Sequence, residues 1–163
     1  MDFPKRKSTR LKYYDYSNSG YYFITICTHN KQKILCDFVG GGAHDAPKIK
    51  LSAVGEIVEK YILSTNNITD ITVDKYVIMP NHIHLILKII NSGTSRAPSP
   101  TNNTISHSIS TLKRFVNRDV GKNIFQRSFH DHIIRGEKDY IKIWNYIDTN
   151  PQKWEEDCFY RAD

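Results

Sequence analysis

Ile71-Thr-Val-Asp-Lys-Tyr-Val-Ile-Met-Pro-Asn-His-Ile-His-Leu-Ile-Leu-Lys-Ile-Ile90 reads as two strands joined by a tight turn. The runs Ile71 to Met79 and Ile83 to Ile90 are rich in β-branched and aliphatic residues. Pro80-Asn81 between them is a turn-favouring pair that can join antiparallel neighbours. Side chains alternate faces along a strand, so Ile83, Leu85 and Leu87 point one way while His82 and His84 point the other. Two imidazoles therefore share the face opposite the apolar one. They either converge on a metal ion or lie on a solvated sheet surface, and an isolated His-x-His supports both.

Working outward, Tyr21 to Thr28 (YYFITICT) is a further strand. Gly40-Gly-Gly42 through Pro47 is expected to be a flexible loop. Ser52 is placed to cap a helix in which Val54, Ile57, Val58, Tyr61 and Ile62 recur at helical spacing. A second helix is expected from about Ser106 to Asp119, with Ile109, Leu112 and Val116 on one side. Phe125 to Arg135 reads as a fourth extended segment, and Glu137 to Asn150 as a helix that stops before Pro151. Strand, helix, strand, strand, helix, strand, helix suits an α+β, ferredoxin-like fold, a four-stranded antiparallel sheet with helices packed on one face. We expect residues 1–163 to form a single domain, with 1–20 a basic N-terminal arm and 91–104 a flexible internal loop of low complexity.

The 163 residues are 39% hydrophobic, enough for one buried core, and carry 23 Lys and Arg against 17 Asp and Glu. The formal charge of +6 favours a polyanionic partner. Cys27, Cys36 and Cys158 are odd in number and widely spaced, which argues against a disulfide framework and for reduced thiols. With no run long enough to cross a bilayer, the expected location is cytoplasmic and nucleoid-associated, without a membrane partner. The first segment interleaves Lys5, Arg6, Lys7, Arg10 and Lys12 with Tyr13, Tyr14 and Tyr16. Such a segment is either a solvated tail or an arm laid along phosphates. Lys113, Arg114 and Arg118 of the second helix admit the same two readings.

The last helix supplies the chemistry. Tyr140, Ile143, Trp144 and Ile147 form its apolar stripe, whereas Tyr146 lies off it and shares a face with Asn150 one turn later. A phenol of pKa about 10 is a poor nucleophile unless its electrophile is polarised by a cation. An ion held by His82, His84 and the Asn150 amide would keep positions open for phosphate oxygens. That mixed nitrogen and oxygen set suits Mg²⁺ or Mn²⁺ better than a closed zinc site.

Met79-Pro-Asn-His-Ile-His-Leu-Ile-Leu87 resembles the histidine-hydrophobic-histidine (HUH) motif of the single-tyrosine transposases, and Trp144-Asn-Tyr-Ile-Asp-Thr-Asn-Pro151 resembles their nucleophile helix. Tyr21 to Thr28, Phe125 to Arg135 and Asn150-Pro151 are similar to the REP-associated tyrosine transposase branch, so the resemblance runs over most of the chain. It implies that His82 and His84 are metal ligands and Tyr146 the nucleophile. Asn150 would be the third ligand, where insertion-sequence relatives usually carry Gln. It further implies single-stranded DNA cleavage and strand transfer at hairpin-forming, REP-like repeats through a 5′-phosphotyrosine, with no nucleotide cofactor. Relatives act as monomers or as homodimers. Arg6, Lys7, Arg10, Lys113 and Arg114 are the expected DNA contacts. His130 and His132 share a strand face, but stacking or structural roles suit them better than a second metal pair.

Two other readings compete. A non-catalytic nucleic-acid-binding module would use the same sheet, but with aromatics for base stacking where this chain has His82 and His84. A metal-dependent hydrolase would use water in place of Tyr146 and leave no protein–DNA adduct.

Overall fold

The computed structural model describes residues 19–40, 47–67, 70–90 and 104–160. Its elements are β1 (Gly20–Cys27), β2 (Cys36–Val39), β3 (Lys48–Leu51), α1 (Ala53–Ser64), β4 (Ile71–Met79), β5 (His82–Ile89), α2 (Thr104–Val120), β6 (His130–Ile134) and α3 (Glu137–Thr149), followed by a 3-10 segment, Asn150–Glu156. Four strands form one antiparallel sheet in the order β4-β5-β1-β6. With α1 and α2 as the crossovers, this is the ferredoxin-like order, and the α+β class expected from the sequence holds. Most of the expected arm (1–18) and internal loop (91–103) lie outside the described residues, as do Arg6, Lys7 and Arg10.

The β4–β5 hairpin closes on Met79 opposite His82 and Ile78 opposite Ile83, so Pro80-Asn81 is the turn. Pairing of β5 with β1 places His84 beside Thr25 and His82 beside Cys27. The sheet's first face buries Tyr22, Ile24 and Ile26 of β1 with Ile83, Leu85 and Leu87 of β5. Val58 and Ile62 of α1 and Ile109, Leu112 and Val116 of α2 cover them. Each such side chain contributes roughly 1.5–3 kcal/mol through burial.

The expectation of helices on one face holds for α1 and α2 and is corrected for α3. Ile143 and Ile147 of α3 pack on the opposite face against Val77, Met79, Ile86 and Ile134. β5 is apolar at Ile86 as well as at Ile83, Leu85 and Leu87, and the stripe of α3 needs that second apolar patch. The small β2–β3 hairpin helps close this face with Phe38 and Ile49. Its strands are four residues each, too short for alternation to stand out beside Gly40-Gly-Gly42.

The fourth strand is shorter than Phe125 to Arg135. Phe125 makes only an isolated bridge to Thr28. The carbonyls of Gln126, Arg127 and Ser128 are taken by the Lys113 ammonium at 2.8, 3.4 and 3.1 Å, and ladder pairing resumes at His130.

Ser52 caps α1 as expected, its hydroxyl accepting from the Gly55 amide at 3.0 Å. Gly55 is set by close approach. A Cβ there would lie 2.0 Å from the Leu35 carbonyl oxygen and 3.3 Å from the Leu51 Cβ. Gly55→Ala must push α1 off the backbone before β2, and we expect about 2–3 kcal/mol of lost stability in urea denaturation. A loss under about 0.5 kcal/mol would show that this contact yields easily.

Candidate active site

His82 and His84 arise from alternation in β5, and α3 on the same face brings Tyr146 and Asn150 over them. The two Nε2 atoms are 3.0 Å apart. The Tyr146 oxygen is 3.3 Å from His84 Nε2, and its ring meets that imidazole edge-on. Residues far apart in sequence, on β5 and near the end of α3, thus come together. The two histidines and Asn150 are buried, while Tyr146 is 38% exposed.

Each imidazole is oriented from behind. His82 Nδ1 lies 2.9 Å from Asn81 Oδ1, whose own Nδ2 donates to the Phe159 carbonyl at 2.9 Å. With Asn81 Oδ1 as acceptor, Nδ1 carries the proton and the Nε2 lone pair faces the site. His84 Nδ1 lies 2.8 Å from the Thr25 hydroxyl, which serves the same end when it accepts. Burial pushes the His82 pKa down to about 3, with Lys31 adding to the shift, and holds His84 well below the ordinary 6.5. Both imidazoles are neutral at physiological pH.

Three observations show that this donor set fits a cation. The two Nε2 atoms face each other at 3.0 Å, a spacing at which both can ligate one ion. The Asn150 Oδ1 is buried and has no hydrogen-bond partner among the described residues, while its Nδ2 donates to Asp157 at 2.7 Å. The Asp157 side chain is fully out of solvent, and its one ion-pair contact among the described residues is the neutral His82, 3.9 Å away. Its carboxylate accepts from Asn150 Nδ2 and from the Phe159 amide at 2.7 and 2.6 Å. His82, His84 and Asp157 offer ligand atoms that all lie within 4.8 Å of one another.

Asp157 was not found from sequence. It follows the kinked 3-10 segment after Pro151, where no periodicity assigns a direction. Thr25 did leave a signal, as the polar position between Phe23 and Cys27 in an otherwise apolar strand. Asp157 also accepts from the Tyr146 hydroxyl at 3.1 Å. Burial first, and then the Asp157 charge, raise the phenol above its usual pKa of 10. A cleft of about 170 Å³ is lined by Tyr146, Thr149, Asn150, Lys153, Glu156 and Asp157. From the other side Phe159 lies over the pair, its ring 4.7 Å from His82 and 6.0 Å from His84.

The remaining expected residues fall elsewhere. Lys113 turns inward to its three carbonyls, a correction to its reading as a phosphate contact. Arg114 stays exposed, its guanidinium 5.1 Å from the Phe115 ring, on a helix across the sheet from the histidines. His132 pairs with Asp139 at 2.9 Å and His130 lies 6.3 Å from Phe159, so neither joins the pair. The cysteines are free, two of them buried. Among the described residues no helix is long and apolar enough to cross a membrane.

Neutral buried histidines make the fold acid-sensitive. Their folded pKa values lie below the unfolded value of 6.5, so the unfolded chain binds more protons below pH 6.5, down to about 3 in the case of His82. Stability is complete above that window and falls as pH drops through it, by about 1.4 kcal/mol per pH unit for each imidazole. Urea midpoints in chelator at pH 4, 5 and 6.5 should show this. Equal midpoints at pH 4 and 6.5 would contradict it.

No family model matches the chain. An uncharacterised protein of Haemophilus influenzae is 33% identical, covering 95% of this chain and 93% of its own. A second protein of that organism, provisionally named a REP-associated tyrosine transposase, is 27% identical over 85% of this chain and 74% of its own. A solved structure of a REP-associated tyrosine transposase bound to a REP hairpin superposes with a TM-score of 0.65 at 21% identity, over 91% of this chain and 74% of that one. The fold is thus that of a tyrosine transposase. In sequence the chain is similar to one protein named for the REP-associated branch, and in fold to another.

Proposed function

We propose that this protein is an HUH-type nuclease and strand-transferase, cutting and rejoining single-stranded DNA beside hairpin-forming, REP-like repeats. The observation that carries the reading is the Tyr146 oxygen 3.3 Å from His84 Nε2, beside a His82, His84 and Asp157 group whose ligand atoms lie within 4.8 Å of one another. A similar fold bound to a REP hairpin supports the substrate class.

His82, His84 and Asn150 would hold a divalent cation, Mg²⁺ or Mn²⁺, with the Asp157 carboxylate as its counter-charge. When bound it supplies Lewis acidity to a phosphate oxygen and a template for in-line attack. Asn81 and Thr25 fix the imidazoles so that no reorganisation is needed during reaction. Tyr146 is held by its Asp157 hydrogen bond over the site. Its oxygen attacks phosphorus, the Oη–P bond forms as the P–O3′ bond breaks, and Asp157 Oδ2 is the nearest acceptor for the phenolic proton. The product is a 5′-phosphotyrosine and a free 3′-hydroxyl, and reversal onto another 3′ end rejoins the strand. Both histidines are closed off in this conformation, with Phe159 over them and the cleft at Tyr146 alongside.

Arg6, Lys7, Arg10 and Arg114 remain the proposed contacts to more distant phosphates. Incubation of a labelled hairpin oligonucleotide with Mn²⁺ should give a protein–DNA adduct that survives a denaturing gel. Cleavage without any adduct would favour the water-using hydrolase, and tight binding without cleavage would favour the binding module.

A further inference from the structure

The turn after β1 is built in a way that a plain connector does not require. Asn30 (φ 54°, ψ 21°) and Lys31 (φ 55°) are consecutive non-glycine residues in the left-handed region. Each is disfavoured there, and such positions persist where the surroundings over-determine them. Those surroundings are present. The Lys31 amide donates to the Thr28 carbonyl at 3.1 Å, and the His29 amide donates to the Ile124 carbonyl at 2.7 Å. The fully buried Thr28 hydroxyl lies 2.8 Å from the Gln32 carbonyl and 3.0 Å from that of Asn81. The turn is thereby fixed to Asn81, the residue that orients His82.

What this rigid turn presents is an ammonium group. Lys31 Nζ sits 5.1 Å from the centre of the Phe159 ring and donates to the Cys158 carbonyl at 3.4 Å. Among the described residues no carboxylate pairs with it. Its present partners are a neutral carbonyl oxygen and an aromatic face, the uncharged counterparts of a phosphate oxygen and a base. A phosphodiester oxygen is the stronger acceptor, because charge-assisted hydrogen bonds exceed neutral ones.

We propose that Lys31 is a phosphate-contacting residue of the site, gripping a phosphodiester of the single strand next to the bond that is cut when that strand replaces Cys158 and Phe159. The assignment rests on the transposase reading above. It accounts for the cation beside His82 and for a left-handed backbone at a residue where glycine would be unstrained.

The test uses Tyr146→Phe protein, so that binding is read without cleavage, and a REP-like hairpin oligonucleotide with a single-stranded flank. Affinity is measured as a function of salt. Lys31→Ala should lower affinity several-fold and reduce the slope of log K against log salt by about 0.7, the value for one phosphate contact on a single strand. Lys31→Arg should restore the slope. Lys31→Gly should lose binding equally while melting no lower than its parent, because glycine takes the left-handed backbone freely. That combination separates lost contact from lost fold. A Lys31→Gly protein with unchanged slope and affinity overturns the assignment and leaves the transposase reading standing. A Tyr146→Phe protein that does not bind the hairpin at all overturns both.

Discussion

Tyr146→Phe is expected to abolish the covalent protein–DNA adduct and to lower cleavage of a hairpin-bearing single strand by on the order of 10³-fold or more. The substitution removes one oxygen and keeps the ring, which packs edge-on against Phe23 and His84. It forfeits the hydrogen bond to Asp157, worth about 1 kcal/mol at a half-exposed position, so the fold survives. The phenol itself is not a ready nucleophile, because burial and the Asp157 carboxylate both hold its proton on. On the proposed mechanism a cation at the histidine pair supplies the missing activation, and Tyr146→Phe should leave Mn²⁺ binding intact. Wild-type rates from Tyr146→Phe would transfer the attack to water.

The second large effect is expected at His84. His84→Ala should weaken Mn²⁺ binding, followed by calorimetry, by about 100-fold or more, and cleavage should fall in parallel. Thr25→Val, which keeps the volume and deletes the hydroxyl 2.8 Å from His84 Nδ1, should weaken the same binding by about 10–100-fold. The graded pair matters because a purely structural histidine predicts otherwise. Were His84 only a packing residue, both variants would change melting temperature and neither would change a metal isotherm. Undiminished Mn²⁺ affinity in His84→Ala would remove the ion from this site.

Much of the fold was legible because its elements are long and strongly periodic. Alternation in β5 separates Ile83, Leu85 and Leu87 from His82 and His84, and the β1 register then sets Thr25 beside His84. The off-stripe position of Tyr146 placed it away from the core of α3, and Asn150 followed by helical spacing. Three kinds of feature were not legible. The position of α3 on the opposite face depends on which of two apolar patches it meets, and both exist on β5. The β2–β3 hairpin and the shortened β6 depend on tertiary hydrogen bonds, including those of Lys113, that local propensity does not contain. Asp157 and Phe159 reach the histidines through a kinked 3-10 segment with a non-helical Lys153 (φ −109°, ψ 27°), where no repeat assigns a direction to a side chain.

The decisive claim is spatial, so the decisive measurement is anomalous diffraction at the manganese edge from crystals of Tyr146→Phe protein grown with Mn²⁺ and a hairpin oligonucleotide. The account predicts one manganese peak within about 2.3 Å of both Nε2 atoms and a phosphate oxygen on that ion. It also predicts that the ring edge of the substituted side chain at position 146 is directed at the phosphorus on the side away from the 3′ oxygen. Manganese bound elsewhere with the histidine pair empty, or a scissile phosphate beyond the reach of position 146 of any protomer, would contradict it.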